Sequence, residues 1–282
     1  MDATVDKPTL MTPEWMHEHA DDPSVRLIEV AGIGQDELPA YRAGHVPGAV
    51  AWKWKDMLWD SHMREFPSAD AFAGRLGAEG IGNDTTVVLY GEDVQFGIYA
   101  WWALRYCADV RVLDGGRYRW RAEGRALATT PPTRAPPVSY RPVARREGMR
   151  IHRDAVLAAL GDGRTVILDA RSPEEYGGKR VGGPGGPDVG AVRAGRIPGA
   201  RHLYYLDLFN ADKSFKPAAE IAALVAAREI GPERDVIIYC RMSHRATVVY
   251  FALTELLGFT RARVYDGSWT EWGNLVGVPV ER

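Results

Sequence analysis

The sequence predicts an α/β protein in which one domain is written twice, each copy a mainly parallel sheet with helices on both faces. Three observations predict it. Segments recur in the same order at a near-constant offset. "AGHVPGAV" returns as "AGRIPGAR", "TVVLYGEDV" as "DVIIYCRMS", and "VRVLDGGRYRW" as "ARVYDGSWTEW". Ala194 answers Ala43, Tyr239 answers Tyr90 and Asp266 answers Asp114, so the offsets are 151, 149 and 152 residues. Chance similarity would not preserve both order and spacing. Within each half, short apolar runs alternate with helical patterns, which implies a parallel sheet covered on both faces. Between the halves lies "LATTPPTRAPPVSYRPVARREG", whose prolines favour extended backbone and which shows no periodicity. The expected division is a first domain over 1–127, a Pro-rich linker over 128–148 and a second domain over 149–282.

The elements of the second half follow in order. "HRDAVLAALGDG" reads as a helix, and "TVILDA" (Thr165 to Ala170) as a short β-branched run typical of a buried strand. "KPAAEIAALVAAREIG" is helical and stops before a Gly-Pro pair. "DVIIYC" is the next strand. "ATVVYFALTELLG" then carries two adjacent rows at helical spacing, Val248–Ala252–Leu256 and Val249–Leu253–Leu257, with Gly258 placed to end the helix. "ARVYD" closes the set as a further strand. In the first half, "IYAWWALRYCADV" reads as a core helix that takes Cys107 with it.

Composition narrows the function. The chain has 282 residues, 46% of them apolar and 26% charged, with a net charge of -2. These values are ordinary for a globular protein of two domains. No basic stripe favours nucleic acid. No apolar run reaches the ~18 residues of a membrane span. The acidic N-terminal stretch lacks the apolar core of a secretory signal. Two distant cysteines form no disulfide framework, so a reducing, cytoplasmic setting is expected. The seven histidines fall in no metal-ligand spacing, and neither a metal nor a cofactor is expected.

Cys240 carries the chemistry. It ends an apolar strand just before a helix, at the edge of an open α/β sheet where ligands bind. The free N–H groups and positive end of that helix favour a thiolate, the nucleophilic form of cysteine. Arg241 and Arg245 add positive charge that neither burial nor pH readily removes. A buried, inert thiol is the plain alternative. Two facts weigh against it. The first half keeps the strand but has Gly91 at the matching place, so packing does not require a thiol, and paired arginines suit an apolar thiol poorly.

"DARSPEEY", "AGRIPGA", "YCRMSHRA" and "YDGSWTEWG" together resemble the tandem-domain rhodaneses, the thiosulfate and 3-mercaptopyruvate sulfurtransferases. The resemblance runs over nearly the whole chain. It implies two rhodanese-like domains, the first without the nucleophile and the second catalytic. It also implies a two-step transfer in which Cys240 takes sulfane sulfur from a donor and passes the persulfide sulfur to cyanide, a thiol or a sulfur-carrier protein. Cysteine phosphatases use five residues between Cys and Arg, whereas Arg241, Met242, Ser243 and His244 are the four here. The shorter loop favours sulfur over phosphorus, although some phosphatases and arsenate reductases share the fold.

In that family a cation directly after the cysteine goes with thiosulfate, and a small glycine loop with mercaptopyruvate. Arg241 therefore favours thiosulfate, a dianion suited to guanidinium groups. The loop is closest to the bacterial "CRxGxRS" pattern, with Ser243 where Gly is common. Met242 stands where vertebrate-type enzymes have a second cation, and Glu175 where they have an arginine. The expected substrate contacts are thus Arg241, Met242, Ser243, His244, Arg245 and Arg171, with Lys179 or Arg180 as further cations. Arg171 also reads as the partner of Asp169 in an internal ion pair that orders the loop. His244 is expected at a water-exposed loop tip, His45 in a turn, Asp266 closing a turn, and Trp269 and Trp272 in packing. The Gly-rich "GGKRVGGPGGPDVG" matches no nucleotide loop and reads as a flap beside the site. A sulfur-relay protein that hands sulfur only to a protein partner is the non-enzymatic alternative.

Overall fold

Five short parallel strands in each half carry the sequence repeat into three dimensions. The computed structural model describes residues 9–32, 34, 38–105, 108, 110–142 and 148–282. The chain divides into two compact units, Met1–Arg146 with Ala211–Ser214 and Glu147–Asn210 with Phe215–Arg282. The first holds strands β1 (Leu10–Met11), β2 (Val25–Ala31), β3 (Val50–Lys53), β4 (Thr86–Gly91) and β5 (Val110–Leu113). Its helices are α1 (Pro13–Glu18), α2 (Pro39–Ala43), α3 (Trp54–Leu58), α4 (Ala69–Ala78), α5 (Val94–Leu104) and α6 (Gly116–Ala122). The second holds β6 (Arg150–Ile151), β7 (Thr165–Asp169), β8 (Arg201–His202), β9 (Asp235–Tyr239) and β10 (Ala262–Tyr265). Its helices are α7 (Arg153–Ala159), α8 (Pro173–Tyr176), α9 (Ala218–Ala226), α10 (His244–Phe251) and α11 (Ser268–Trp272).

The sheet orders are β1-β5-β4-β2-β3 and β6-β10-β9-β7-β8, the same topology twice, and every pairing in both is parallel. Parallel sheets need both faces covered, and the strands show why these sequences comply. In β9, Val236, Ile237, Ile238 and Tyr239 are all buried, so no face is left for water. Each such side chain contributes roughly 1.5–3 kcal/mol through burial. β4 and β9 are the central strands, and the chain leaves each at its carboxyl end.

One hydrogen bond is repeated in both halves and ties the recurrent turn to the central strand. Val46 N–H donates to the Tyr90 hydroxyl at 3.0 Å, and Ile197 N–H donates to the Tyr239 hydroxyl at 3.2 Å. The "PGA" turns and the strand tyrosines therefore recur together because each satisfies the other's buried polar group.

The helix after the site departs from its simple 3.6-residue pattern. α10 begins at His244, two residues before the predicted start, and passes into a π-helical turn over Ala252–Leu256. Leu257 N–H reaches back to the Ala252 carbonyl at 3.1 Å. The Thr254 hydroxyl donates to the Tyr250 carbonyl at 3.0 Å. That side-chain bond competes with the regular ladder and opens the turn. The predicted helix around Cys107 forms as α5, while Cys107 itself lies outside the described residues.

Candidate active site

Cys240 follows the last residue of β9 and is 1% exposed, with its thiol unpaired in any disulfide. Its backbone is fastened on both sides. Cys240 N–H donates to the Ser268 hydroxyl at 3.2 Å, and the Cys240 carbonyl accepts from Trp269 N–H at 2.9 Å. The next carbonyl, of Arg241, accepts from Thr270 N–H at 3.0 Å and from the Thr270 hydroxyl at 2.7 Å. The start of α11 thus braces the root of the loop. Sequence reasoning had given Ser268 and Thr270 no part in the site. The strand–turn–helix spacing of "YDGSWTEW" beside "YCRMS" was the signal that could have found them.

Ser243 fixes the middle of the loop. Its φ is 73°, the left-handed region that costs a side-chain-bearing residue roughly 1–2 kcal/mol. The buried hydroxyl lies 2.6 Å from both the Asp266 carbonyl and the Asp266 carboxylate. Asp266 in turn accepts from the Arg150 guanidinium at 2.9 Å. Asp266 therefore clamps the loop. His244 is not at an exposed tip. It is the first residue of α10 and 5% exposed, because the left-handed step at Ser243 turns the chain inward before the helix begins.

Arg245 and Arg171 are held in different ways. Arg245 makes a fork with Glu175, Nη1 to Oε2 at 2.6 Å and Nη2 to Oε1 at 2.8 Å. Glu175 is 0% exposed and is also the third residue of the Ser172 capping box that starts α8. Burial works against the Arg245 charge, but the hydrogen bonds to Glu175 and the Coulomb pull of Cys240 outweigh it, so its pKa is raised. Glu175, which departs from the vertebrate-type arginine, is therefore the counter-ion of Arg245. Arg171 is 0% exposed and sealed under the loop. It donates from Nε and Nη2 to Asp169, the latter at 2.6 Å, and from Nη2 to the Gly195 carbonyl at 2.7 Å. Its guanidinium carbon lies 4.4 Å from the Trp269 ring. This is the internal ion pair, and Arg171 is fully buried within it.

Arg241 and Met242 are the partly exposed members of the loop. Arg241 Nη2 donates to the Val189 carbonyl in the Gly-rich segment at 2.7 Å. That segment thus lies beside the site, as the flap reading expects. Arg180 is tied within the segment, donating to the Gly186 carbonyl at 3.0 Å. Among the described residues no group of three His, Cys, Asp or Glu side chains is arranged to hold a metal.

The first unit supplies an internal control. After β4 come only Glu92 and Asp93 before α5, and an added Cβ at Gly91 would lie 2.1 Å from the Asp93 carbonyl oxygen and 2.7 Å from Gly97 N. This loop is one residue shorter than its twin and too tight for a side chain. It is also acidic, and burial raises the pKa of both Glu92 and Asp93. The buried carboxylate corresponding to Asp169 is Glu29, whose partner is Arg117 from α6. Arg117 stands where the second unit has Trp269, so a partly buried cation beside the carboxylate is kept but delivered by a different element. His45 is buried in its turn, stacked on Tyr41 at 3.9 Å, with Nδ1 2.9 Å from the Tyr41 carbonyl.

The central strand of the second unit thus runs into Cys240, and a short loop leads from it to Arg245 at the start of the next helix. The chain belongs to the rhodanese-like domain family, which it matches over residues 12–123 and 152–275. It is 41% identical to the sulfur carrier protein TtuD of Thermus thermophilus, over 97% of this chain and 96% of that protein. It is 38% identical to a Saccharopolyspora erythraea protein provisionally named thiosulfate sulfurtransferase, over 96% of this chain and 95% of that one. Among solved structures it resembles the anaerobic ergothioneine biosynthesis enzyme of Chlorobium limicola, in complex with trimethyl histidine. The TM-score is 0.81 at 26% identity, covering 100% of this chain and 72% of that one. No helix of the described residues is long and apolar enough to cross a membrane.

Proposed function

We propose that the chain is a sulfurtransferase that moves sulfane sulfur from thiosulfate to cyanide or a thiol through a persulfide on Cys240. The observation that carries this reading is Cys240 itself, at the end of the central strand, where the structurally equivalent Gly91 admits no side chain. In this reading residues 149–282 form the catalytic domain, 1–127 the domain without a nucleophile and 128–148 the linker. The setting is cytoplasmic.

In the first step the Cys240 thiolate attacks the outer sulfur of thiosulfate. A new S–S bond forms, the donor's S–S bond breaks, and its electron pair leaves on sulfite. In the second step the acceptor attacks the outer sulfur of the persulfide, and the pair returns to Cys240 as thiolate. No proton moves in either step with cyanide, so neither step calls for a general base. In this reading the amide N–H groups at the start of α10 and the charge of Arg245 stabilise the developing negative sulfur. Arg241 and Met242 form the exposed edge that meets the donor, while Ser243 and His244 shape the loop from within.

A relay to a protein acceptor is the second reading. The likeness to a named sulfur carrier favours it. The test is thiocyanate formation from thiosulfate and cyanide, run beside mercaptopyruvate as donor. Wild type is expected to gain one sulfur on Cys240 by mass spectrometry and to turn over, with thiosulfate preferred. Cys240→Ser is expected to do neither. Absence of thiocyanate from reduced wild type with every donor would sink the enzyme reading; sulfur loading followed only by transfer to a protein thiol would establish the relay.

A further inference from the structure

The Gly-rich stretch that matches no nucleotide loop is folded into a closed ring. Val181 and Gly182 N–H both donate to the Asp188 carboxylate, at 2.7 and 2.8 Å. Asn274 fixes the far end, donating to the Gly190 carbonyl at 3.1 Å and accepting from Val192 N–H at 2.9 Å. The Arg241 side chain lies on this ring. Its Nη2 is bonded to the Val189 carbonyl, and its buried Nε has no hydrogen-bond partner among the described residues. A Cβ added at Gly190 would fall 2.8 Å from Nη2, 2.9 Å from Nε and 3.2 Å from Cζ. Gly190 also has φ 119°, outside the usual range of other residues. The edge of the guanidinium running from Nε to Nη2 is thus covered by glycine backbone, and Nη1 is the nitrogen that the ring leaves uncommitted.

From this packing we infer that Gly190 is a positioning residue for donor recognition, holding the Arg241 guanidinium in one orientation for the anionic donor. The inference rests on the sulfurtransferase reading above. A long cationic side chain normally loses rotamer freedom when it grips an anion, and one already held loses less. The gain falls on donor binding rather than on the attack at sulfur, so it appears in KM and not in kcat. It also requires arginine, because only the planar fork can pack against Gly190 and bond Val189 together.

The test is a double-mutant cycle on thiosulfate:cyanide turnover. Gly190→Ala is expected to raise KM for thiosulfate about tenfold, with kcat nearly unchanged, and to add nothing in an Arg241→Ala background. Equal losses in both backgrounds would overturn the inference by showing a purely structural glycine. Because alanine at this φ could disturb the whole ring, Arg241→Lys provides a variant that leaves Gly190 in place. It keeps the charge but lacks the fork, and an unchanged KM would also overturn the proposal. An NMR measurement does not depend on turnover. The Arg241 Nε–H resonance is expected to exchange slowly in wild type and quickly in Gly190→Ala, and fast exchange in wild type would overturn the inference even if no sulfur transfer were seen.

Discussion

Ser243 sets two opposing terms against each other within one residue. Its left-handed backbone costs roughly 1–2 kcal/mol relative to glycine, and its hydroxyl bond to Asp266 returns about as much. Glycine at this place would avoid the cost and forgo the bond. Ser243→Gly is therefore expected to be nearly neutral for stability. Ser243→Ala keeps the backbone cost and loses the bond, so it should destabilise by about 1–2 kcal/mol, read as a lower denaturant midpoint at unchanged slope. Equal midpoints for the two variants would show that the left-handed backbone costs nothing, and equal midpoints for Ser243→Ala and wild type would show that the hydroxyl bond contributes nothing.

The two central strand–loop–helix elements differ by one residue, and that residue decides which can carry a nucleophile. In the first unit, Gly91 and Gly97 bring α5 against β4 so closely that a Cβ on Gly97 would lie 2.5 Å from the Tyr90 carbonyl carbon. Restoring a cysteine alone cannot restore the site. Gly91→Cys is expected to lower stability by about 1–3 kcal/mol through overpacking. It is also expected to leave the Cys240→Ser protein without a sulfur adduct after thiosulfate treatment. A persulfide on residue 91 in that double variant would refute the steric account.

Most of the architecture at this scale was legible because it rests on local pattern. β7 and β9 coincide with β-branched apolar runs, β10 falls on the predicted "ARVYD" strand, and the matched "PGA" turns fixed the repeat. What the sequence did not show depends on pairs distant along the chain. Glu175 looked like a missing arginine, and only its packing against Arg245, 70 residues on, makes it a counter-ion. The inward turn of His244 follows from a single positive φ, which serine does not advertise. Arg171 carried two readings, and its burial beside Asp169 and Trp269 supports the ion pair. Ser268 and Thr270 were hidden for the same reason, since their partners are carbonyls and amides of another element.

Charge over the whole molecule shapes how a dianion would be drawn in. With a net charge of -2, the chain offers no general attraction for thiosulfate. Near the loop, Asp169 balances Arg171 and Glu175 balances Arg245, whereas Arg241 donates to a carbonyl rather than a carboxylate. The pull on the donor is therefore local and short-ranged. Raising ionic strength from ~0.01 to ~0.1 M shortens the screening length from ~30 to ~10 Å. Over that range, kcat/KM for thiosulfate is expected to fall by well under tenfold, in contrast to electrostatically steered systems. Glu175→Gln should change this. The amide oxygen can still accept a bond from Arg245, but the negative charge beside Arg245 is removed. A dianion senses that charge twice as strongly as a monoanion. KM should therefore drop more for thiosulfate than for mercaptopyruvate, and the salt dependence should steepen. Equal shifts for the two donors would mean that Glu175 acts on the site through geometry alone.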